Sequence, residues 1–194
     1  MKSHTMHVID RVLARIRHQS QLAAIREASL ANLESKSAVL DLLVVSPGGV
    51  ATTSLLQALQ QVCKTNSQDD SDGLKHVSDS ARFNRIGTPI VFVYDEPSKC
   101  AASLERRNFA STQCLKLSNS RALGLICALK LPRKLILPML IRRQIKSFRG
   151  AKNEHILAIS YEHLWDSISA IALHSGLGVD KLVEVWPTRR PRSS

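Results

Sequence analysis

Leu42-Leu43-Val44-Val45-Ser46-Pro47-Gly48-Gly49-Val50-Ala51-Thr52-Thr53-Ser54-Leu55 is an apolar run that breaks at Pro-Gly-Gly and restarts behind three hydroxyl residues. A continuous apolar run closed by turn residues predicts a buried strand, and the hydroxyl-led segment after it predicts a helix. Two glycines let the intervening backbone curl with its N–H groups inward, while the first amides of the next helix lack intrahelical partners. Strand, glycine turn and helix mouth therefore make a cradle for an anion, with Gly48, Gly49, Val50 and Ala51 supplying backbone and Thr52, Thr53 and Ser54 supplying further donors. The stretch is not a Walker A loop. Gly-x-x-x-x-Gly-Lys-Ser/Thr cannot be laid on it, and no lysine stands at the phosphate-gripping position. An ordinary strand-to-helix turn has the same composition, so the rest of the chain must decide between them.

The chain has 194 residues, 44% of them hydrophobic, enough for one domain with a sizeable core. Twenty-seven Lys and Arg against 16 Asp and Glu give a net charge of +11, which predicts an anionic partner. A nucleotide, a sulfated or phosphorylated acceptor, nucleic acid or an acidic lipid surface would each satisfy it. Aromatic residues make up only 4% and do not alternate with Lys or Arg, which disfavours base stacking on nucleic acid. Cys63, Cys100, Cys114 and Cys127 are widely spaced without a Cys-x-x-Cys pair, so they are expected as free thiols in a reducing compartment, with no metal. No apolar run approaches the ~20 residues that span a bilayer, and the amino terminus lacks the apolar core of a secretory signal. The expectation is a soluble, cytoplasmic protein. Residues 6–34 are rich in Arg and Ser in the manner of an organelle transit peptide, but Asp10, Glu27 and Glu34 argue for an ordinary amphipathic helix.

Val8, Ile9, Val12, Leu13, Ile16, Leu22, Ile25, Leu30 and Leu33 recur at helical spacing, which predicts a helical extension over residues 1–36 ahead of the main domain, 37–194. His4, His7 and His18 fall on it and are expected to be solvated. The first strand is expected over Val39 to Ser46 and the helix after the cradle over Ser54 to Val62. Lys64 to Arg85 is a long polar stretch, and such loops are often functional. Its Asp69, Asp70 and Asp72 are expected to be solvated rather than to bind metal. Pro89 to Tyr94 predicts a second strand, turned by Asp95-Glu96-Pro97 into a helix to about Phe109. Residues 111–152 contain helical apolar stretches broken by Pro132 and Pro138, with eight Lys and Arg from Lys130 to Lys152 and no acidic residue. That face suits a solvated surface, an anionic membrane or the flank of a nucleotide site. His155 to Ser160 predicts a third strand, followed by a helix from Glu162 to His174 that stops at Gly176 and Gly178. Flanking that strand, His155 and His163 are expected to pack or cap.

Short apolar strands separated by helices predict an α/β fold: three layers, a mostly parallel sheet with helices on both faces. The loops after Ser46, Tyr94 and Ser160 all fall at the carboxyl edge of that sheet, where such folds bind ligands.

From Val39 onward the chain resembles the sulfotransferase superfamily, P-loop-like proteins that use 3′-phosphoadenosine 5′-phosphosulfate. In that family Gly or Ala followed by Thr-Thr or Ser-Thr, after a strand, binds the 5′-phosphosulfate, and Ala51-Thr52-Thr53-Ser54-Leu55 is similar to it. A strand ending in Arg-x-Pro, with a serine on the next helix, holds the 3′-phosphate there. Here Asp95-Glu96-Pro97 occupies the turn and Ser103 the serine position, so the resemblance implies that Arg106 or Arg107 replaces the missing arginine. Tyr161-Glu162-His163-Leu164-Trp165 is similar to a Tyr-Glu-Asp-Leu segment of the family, and the basic tail Pro187 to Ser193 to ends that close over the nucleotide. Lys75-His76 resembles the Lys-x-His segment whose histidine deprotonates the acceptor hydroxyl. The resemblance thus implies His76 as base and Lys75 or Lys64 as the cation at the sulfate, because Gly49 stands where the family carries Lys or Arg. It implies sulfonate transfer to a hydroxyl or amine acceptor. Gly49 and Asp95 fit a nucleotide-binding protein without transfer chemistry, and the basic stretch 130–152 a nucleic-acid or membrane-surface module.

Overall fold

A computed structural model describes residues 33–118, 121–127 and 130–189. The predicted helix over residues 1–36 lies outside them except for its end, α1 (Leu33–Ser37). Leu33 is buried in the core and the Ser37 carbonyl accepts a hydrogen bond from the Thr88 hydroxyl at 2.8 Å, so that last turn is joined to the main body.

The sheet has three parallel strands in the order β1 (Leu43–Val45), β2 (Ile90–Tyr94), β3 (Ile156–Ser160). Leu43 pairs with Ile90 and Val45 with Phe92, and Ile90 through Tyr94 run alongside Ile156 through Ser160. Ile90, Val91, Phe92 and Val93 have no exposed surface, as the middle strand of an α/β sheet requires, and this is why they are apolar without alternation.

The strand predicted over Val39–Ser46 is shorter than expected, because the chain approaches it through a turn and its outer edge is closed by other means. Leu42 forms a parallel bridge with Thr65, and buried Asn66 gives Val44 a substitute for a strand partner. The Val44 amide donates to Asn66 Oδ1 at 2.8 Å, and Asn66 Nδ2 donates to the Val44 carbonyl at 3.0 Å. An edge strand with its polar groups so occupied offers nothing for another chain to pair with.

From β1 the chain enters α2 (Thr52–Leu59), returns along that outer edge through the 64–79 loop, makes a 3₁₀ turn (Ser80–Phe83) and crosses to β2. After β2 come α3 (Pro97–Arg106), α4 (Ala110–Leu117), α5 (Arg121–Ile126) and α6 (Lys130–Arg149). The predicted continuous helix to Phe109 ends early because Asn108 takes a left-handed conformation, φ 60°.

Neither Pro132 nor Pro138 breaks α6, contrary to expectation. Pro132 lies in the first turn, where no amide partner is needed, and Pro138 interrupts the ladder beside the exposed Lys134. The helix is held through the interruption by its buried face, Leu137, Leu140, Ile141, Ile145 and Phe148. Phe148 stacks on Phe92 of β2 with centroids 4.2 Å apart, and Phe83 meets it edge-on at 5.9 Å.

The helix predicted from Glu162 to His174 is instead a 3₁₀ turn (Tyr161–Asp166) followed by α7 (Ile168–Ser175), which ends at Gly176 with φ 70°. α8 (Val179–Val185) completes the described chain. Contacts sort the helices into two groups: α2 touches α8 and α8 touches α7, whereas α3, α4, α5 and α6 pack among themselves. Among the described residues no helix is long and apolar enough to cross a membrane.

Candidate anion cradle at the carboxyl edge of the sheet

Gly48, Gly49 and Ala51 have φ of 88°, 80° and 55°, a left-handed run that turns the chain sharply out of β1. Glycine at 49 is required by packing as well as by dihedral. A Cβ there would lie 2.9 Å from the Cys100 carbonyl oxygen and 3.3 Å from Ser103 Cβ, so the loop is pressed against α3.

Helix α2 begins at Thr52 with no side-chain cap. Among the described residues the six consecutive amides from Gly49 to Ser54 form no hydrogen bond. A row of unpartnered N–H groups at a helix start is an arrangement that an anion satisfies. Not every predicted donor in the loop is available, however. The Thr52 hydroxyl is buried and shares a hydrogen bond with Ser46 Oγ at 3.0 Å, while the Gly48 amide donates to that same Ser46 Oγ at 3.2 Å. The Val50 side chain is in the core, leaving only its backbone for a ligand, whereas Thr53 is exposed.

The long loop delivers Lys75 and His76 to this cradle because it stays hydrogen-bonded to β1's outer edge. After Thr65 and Asn66 the next attachment is Ser46, whose amide donates to the Lys75 carbonyl at 2.9 Å. Lys75 Nζ then donates to Thr53 Oγ1 at 2.8 Å and to the Gln68 carbonyl at 2.7 Å. An ammonium has three N–H groups, so these two bonds leave one for a ligand. Lys75 is buried, which pushes its pKa down to about 8; Asp70 opposes the shift and Lys116 and Arg107 add to it.

His76 is held by its ring. Its Nδ1 lies 2.8 Å from the Ser46 carbonyl oxygen, which only accepts, so the hydrogen sits on Nδ1 and the lone pair is on Nε2. Burial pushes its pKa down to about 4, against the pull of Asp70 and with the push of Lys116. The imidazole is therefore neutral at physiological pH.

Of the three aspartates expected to be solvated, Asp69 is exposed, Asp72 is half-buried and Asp70 departs from the expectation; all three shape the loop. The Asp70 carboxylate is almost wholly buried, pairs with Lys116 and accepts from the Lys75 amide at 2.8 Å, on a residue with φ 63°. Asp72 accepts from the Ser67 and Leu74 amides at 2.5 and 3.0 Å. Hydrogen bonds from Ser67 and Ser71 lower the Asp69 pKa to about 2. No group of three or more His, Cys, Asp and Glu suited to a metal occurs among the described residues.

Ser103 is thus brought to the cradle, and Arg107 is close enough for its charge to act on Lys75. Arg107 donates from Nε to the Ser103 carbonyl at 3.2 Å and lies 5.9 Å from the Phe109 ring centroid. Arg106 is exposed and forms no hydrogen bond or ion pair among the described residues. The Lys64 backbone is fixed elsewhere on β1. Its carbonyl accepts from the Asp41 and Leu42 amides at the entry end of β1, away from Ser46.

Two contributors escaped the sequence reading. Gln113 on α4 is buried, and its Nε2, without a partner, lies 3.6 Å from where a Gly48 Cβ would stand. Lys116, one turn further on, pairs with Asp70 beneath the loop. Neither carries a local motif; both are recognisable only once α4 is seen against the glycines.

At the carboxyl end of β3 the side chains pack against one another. Tyr161 and Trp165 meet edge-on at 5.0 Å, Leu164 is buried, and Trp165 Nε1 donates to the Pro187 carbonyl at 2.8 Å. Arg189 lies over the Trp165 ring at 5.5 Å, and the rest of the basic tail, 190–194, is outside the described residues. The His155 carbonyl accepts from the Ile90 amide at 2.7 Å. A separate cavity of about 520 Å³, lined by Asn84, Lys152, Asn153, Glu154 and His155, lies at the opposite end of β3 from the cradle. All four cysteines are free thiols, three of them buried.

Set against known proteins, the chain matches no family model, no curated protein and no solved structure.

Proposed function

We propose that this chain is a sulfotransferase-like enzyme that moves a sulfonate group from 3′-phosphoadenosine 5′-phosphosulfate to a hydroxyl or amine acceptor. The observation that carries this reading is the row of unpartnered amides from Gly49 to Ser54 with Lys75 Nζ fastened to Thr53 at its mouth. A P-loop-like, three-layer arrangement belongs to the same proposal. β1 connects to its own outer edge while β2 connects to β3 on the other side. In that arrangement right-handed connections in both directions place the two helix groups on opposite faces, with a crevice at the carboxyl ends of β1 and β2.

In this reading the 5′-phosphosulfate rests on the cradle amides, and Ser103 and Arg107 face the 3′-phosphate. The His76 Nε2 lone pair takes the proton from the acceptor oxygen or nitrogen as that atom bonds to sulfur. The bond from sulfur to the bridging oxygen breaks, and Lys75 stabilises the charge growing on the leaving phosphate. A histidine with a pKa of about 4 is a weak base at rest, but a bound multivalent anion beside it favours the imidazolium and raises that value.

A second reading, a nucleotide-binding protein without transfer, is favoured by Asp95 at the carboxyl end of β2, where a carboxylate repels the 3′-phosphate. Transfer of radiolabelled sulfonate to a panel of hydroxyl and amine acceptors separates the two. Transfer that disappears in His76→Ala while adenosine 3′,5′-bisphosphate still raises the melting temperature supports the enzyme. A bisphosphate response with no transfer to any acceptor supports the second reading.

A further inference from the structure

The two faces of helix α6 differ in character. Its inner face packs in the core, with Phe148 on Phe92 of β2, and at its carboxyl half Gln144 Nε2 donates to the Val77 carbonyl at 2.6 Å and Ser147 bonds Asp79 and Ser80. Those contacts fix the loop just beyond His76. Its outer face presents Lys134, Arg142, Lys146 and Arg149, all exposed, with Arg143 at the margin toward Asp79.

Set among these cations, one turn apart, are Leu135 and Met139, 76% and 56% exposed, with the half-buried Pro138 between them. The helix contains no acidic residue, and neither does any position from 106 to 152. Isolated exposed aliphatics are ordinary; two adjoining ones inside an all-cationic face are an amphipathic arrangement of another kind. Cations draw such a face to anionic headgroups, and the aliphatic pair enters the acyl boundary. The long Lys and Arg stems reach the headgroups while their aliphatic parts lie beside Leu135 and Met139.

We infer that the outer face of α6, with Leu135 and Met139 at its centre and Lys134, Arg142, Lys146 and Arg149 around them, docks on an acidic phospholipid bilayer. The helix lies along the surface rather than crossing it, since among the described residues no helix is apolar enough to span. Nucleic acid fits less well. The face offers cations for phosphate but no aromatic side chain for stacking, and exposed Leu and Met gain nothing against a phosphate backbone. Arg149 sits over the Tyr94 ring at 5.4 Å, and Tyr94 is the last residue of β2. One end of the docking face therefore abuts the sheet edge that bears the cradle.

The test is co-sedimentation of the full chain with vesicles of phosphatidylcholine, with and without phosphatidylserine. The wild-type protein is expected to bind only the phosphatidylserine vesicles, and Arg142→Glu with Lys146→Glu to abolish binding. Leu135→Asn with Met139→Asn is expected to weaken it by about tenfold or more, because the apolar contact is lost while every charge remains. Leu173→Asn, at an 87% exposed leucine on α7, changes no part of this face and is expected to bind like wild type. All these positions are exposed, and circular dichroism of each variant is the check that it folds. No binding to phosphatidylserine vesicles overturns the inference. So does undiminished vesicle binding by the Leu135/Met139 variant, which would make the face a simple polycation, or tighter binding of the wild-type protein to duplex RNA than to the phosphatidylserine vesicles.

Discussion

Ser46 and His76 are joined through the Ser46 carbonyl, which accepts from the imidazole Nδ1 at 2.8 Å at the point where β1 ends and the cradle begins. The residue before His76 is tied to the same place, since the Ser46 amide donates to the Lys75 carbonyl at 2.9 Å. The cradle and the residues proposed to act on its contents are therefore one hydrogen-bonded unit, although 30 positions separate them in the chain.

Folding should weaken on mild acidification through His76. Its folded pKa, about 4, lies below the unfolded value of about 6.5, so the unfolded chain takes up a proton first. Stability from this group is complete above pH 6.5 and is lost as pH falls toward 4, by up to about 3 kcal/mol. Urea unfolding at pH 7 and pH 5 should show the drop, and His76→Gln should flatten it. An unchanged slope in the variant would place the acid sensitivity elsewhere.

Lys75 gives the opposite end of the pH range a signature. Its folded pKa of about 8 means that it loses its charge above pH 8, so affinity for an anionic nucleotide should fall there. Lys75→Met should bind about 10- to 100-fold more weakly at pH 7, the loss of one charge-assisted hydrogen bond, and show no further decline between pH 7 and 9. Because the buried ammonium is costly, the variant should fold at least as well as wild type at pH 7. Titrations at the two pH values with both proteins measure this.

Gly49→Ala should damage the cradle directly. The added methyl meets the Cys100 carbonyl oxygen at 2.9 Å, and alanine is strained at φ 80°. The expected cost is about 1–3 kcal/mol in denaturant unfolding, together with loss of any nucleotide-induced rise in melting temperature. Gly87→Ala, which has open space around it, is the matched control and should change neither.

Asn66→Leu should destabilise by about 2–4 kcal/mol, because it strips both the amide and the carbonyl of Val44 of their buried partner. Asn66→Asp should also be harmful: it keeps an acceptor for the Val44 amide but sets a carboxylate against the Val44 carbonyl. Chemical denaturation of the two variants ranks these effects, and a near-neutral Asn66→Leu would show that water replaces the side chain.

The strands were legible because central strands of a parallel sheet have no polar alternation, and Ile90 to Val93 advertise this directly. The cradle was legible for a related reason: glycine is needed both for the left-handed turn and for the close approach to Cys100. Local composition was misleading where tertiary contacts decide the outcome. Pro138 sits inside a helix because five buried apolar side chains hold that helix in the core. Asp70 is buried because Lys116, 46 positions away, neutralises it. Gln113 has no motif at all, and its unpartnered amide acquires meaning only beside Gly48. The approach of Lys75 and His76 to the cradle depended on Thr65 and Asn66 closing the edge of β1, a pairing too short to leave a periodic pattern.

The central claim, that the loop from Ser46 to Ser54 receives the phosphate end of a nucleotide, is tested most directly by calorimetric titration with adenosine 3′,5′-bisphosphate. The account predicts saturable single-site binding to the wild-type chain, no comparable heat with adenosine triphosphate, and loss of the signal in Gly49→Ala. Absence of binding to the wild-type protein, or binding that Gly49→Ala leaves intact, would contradict it.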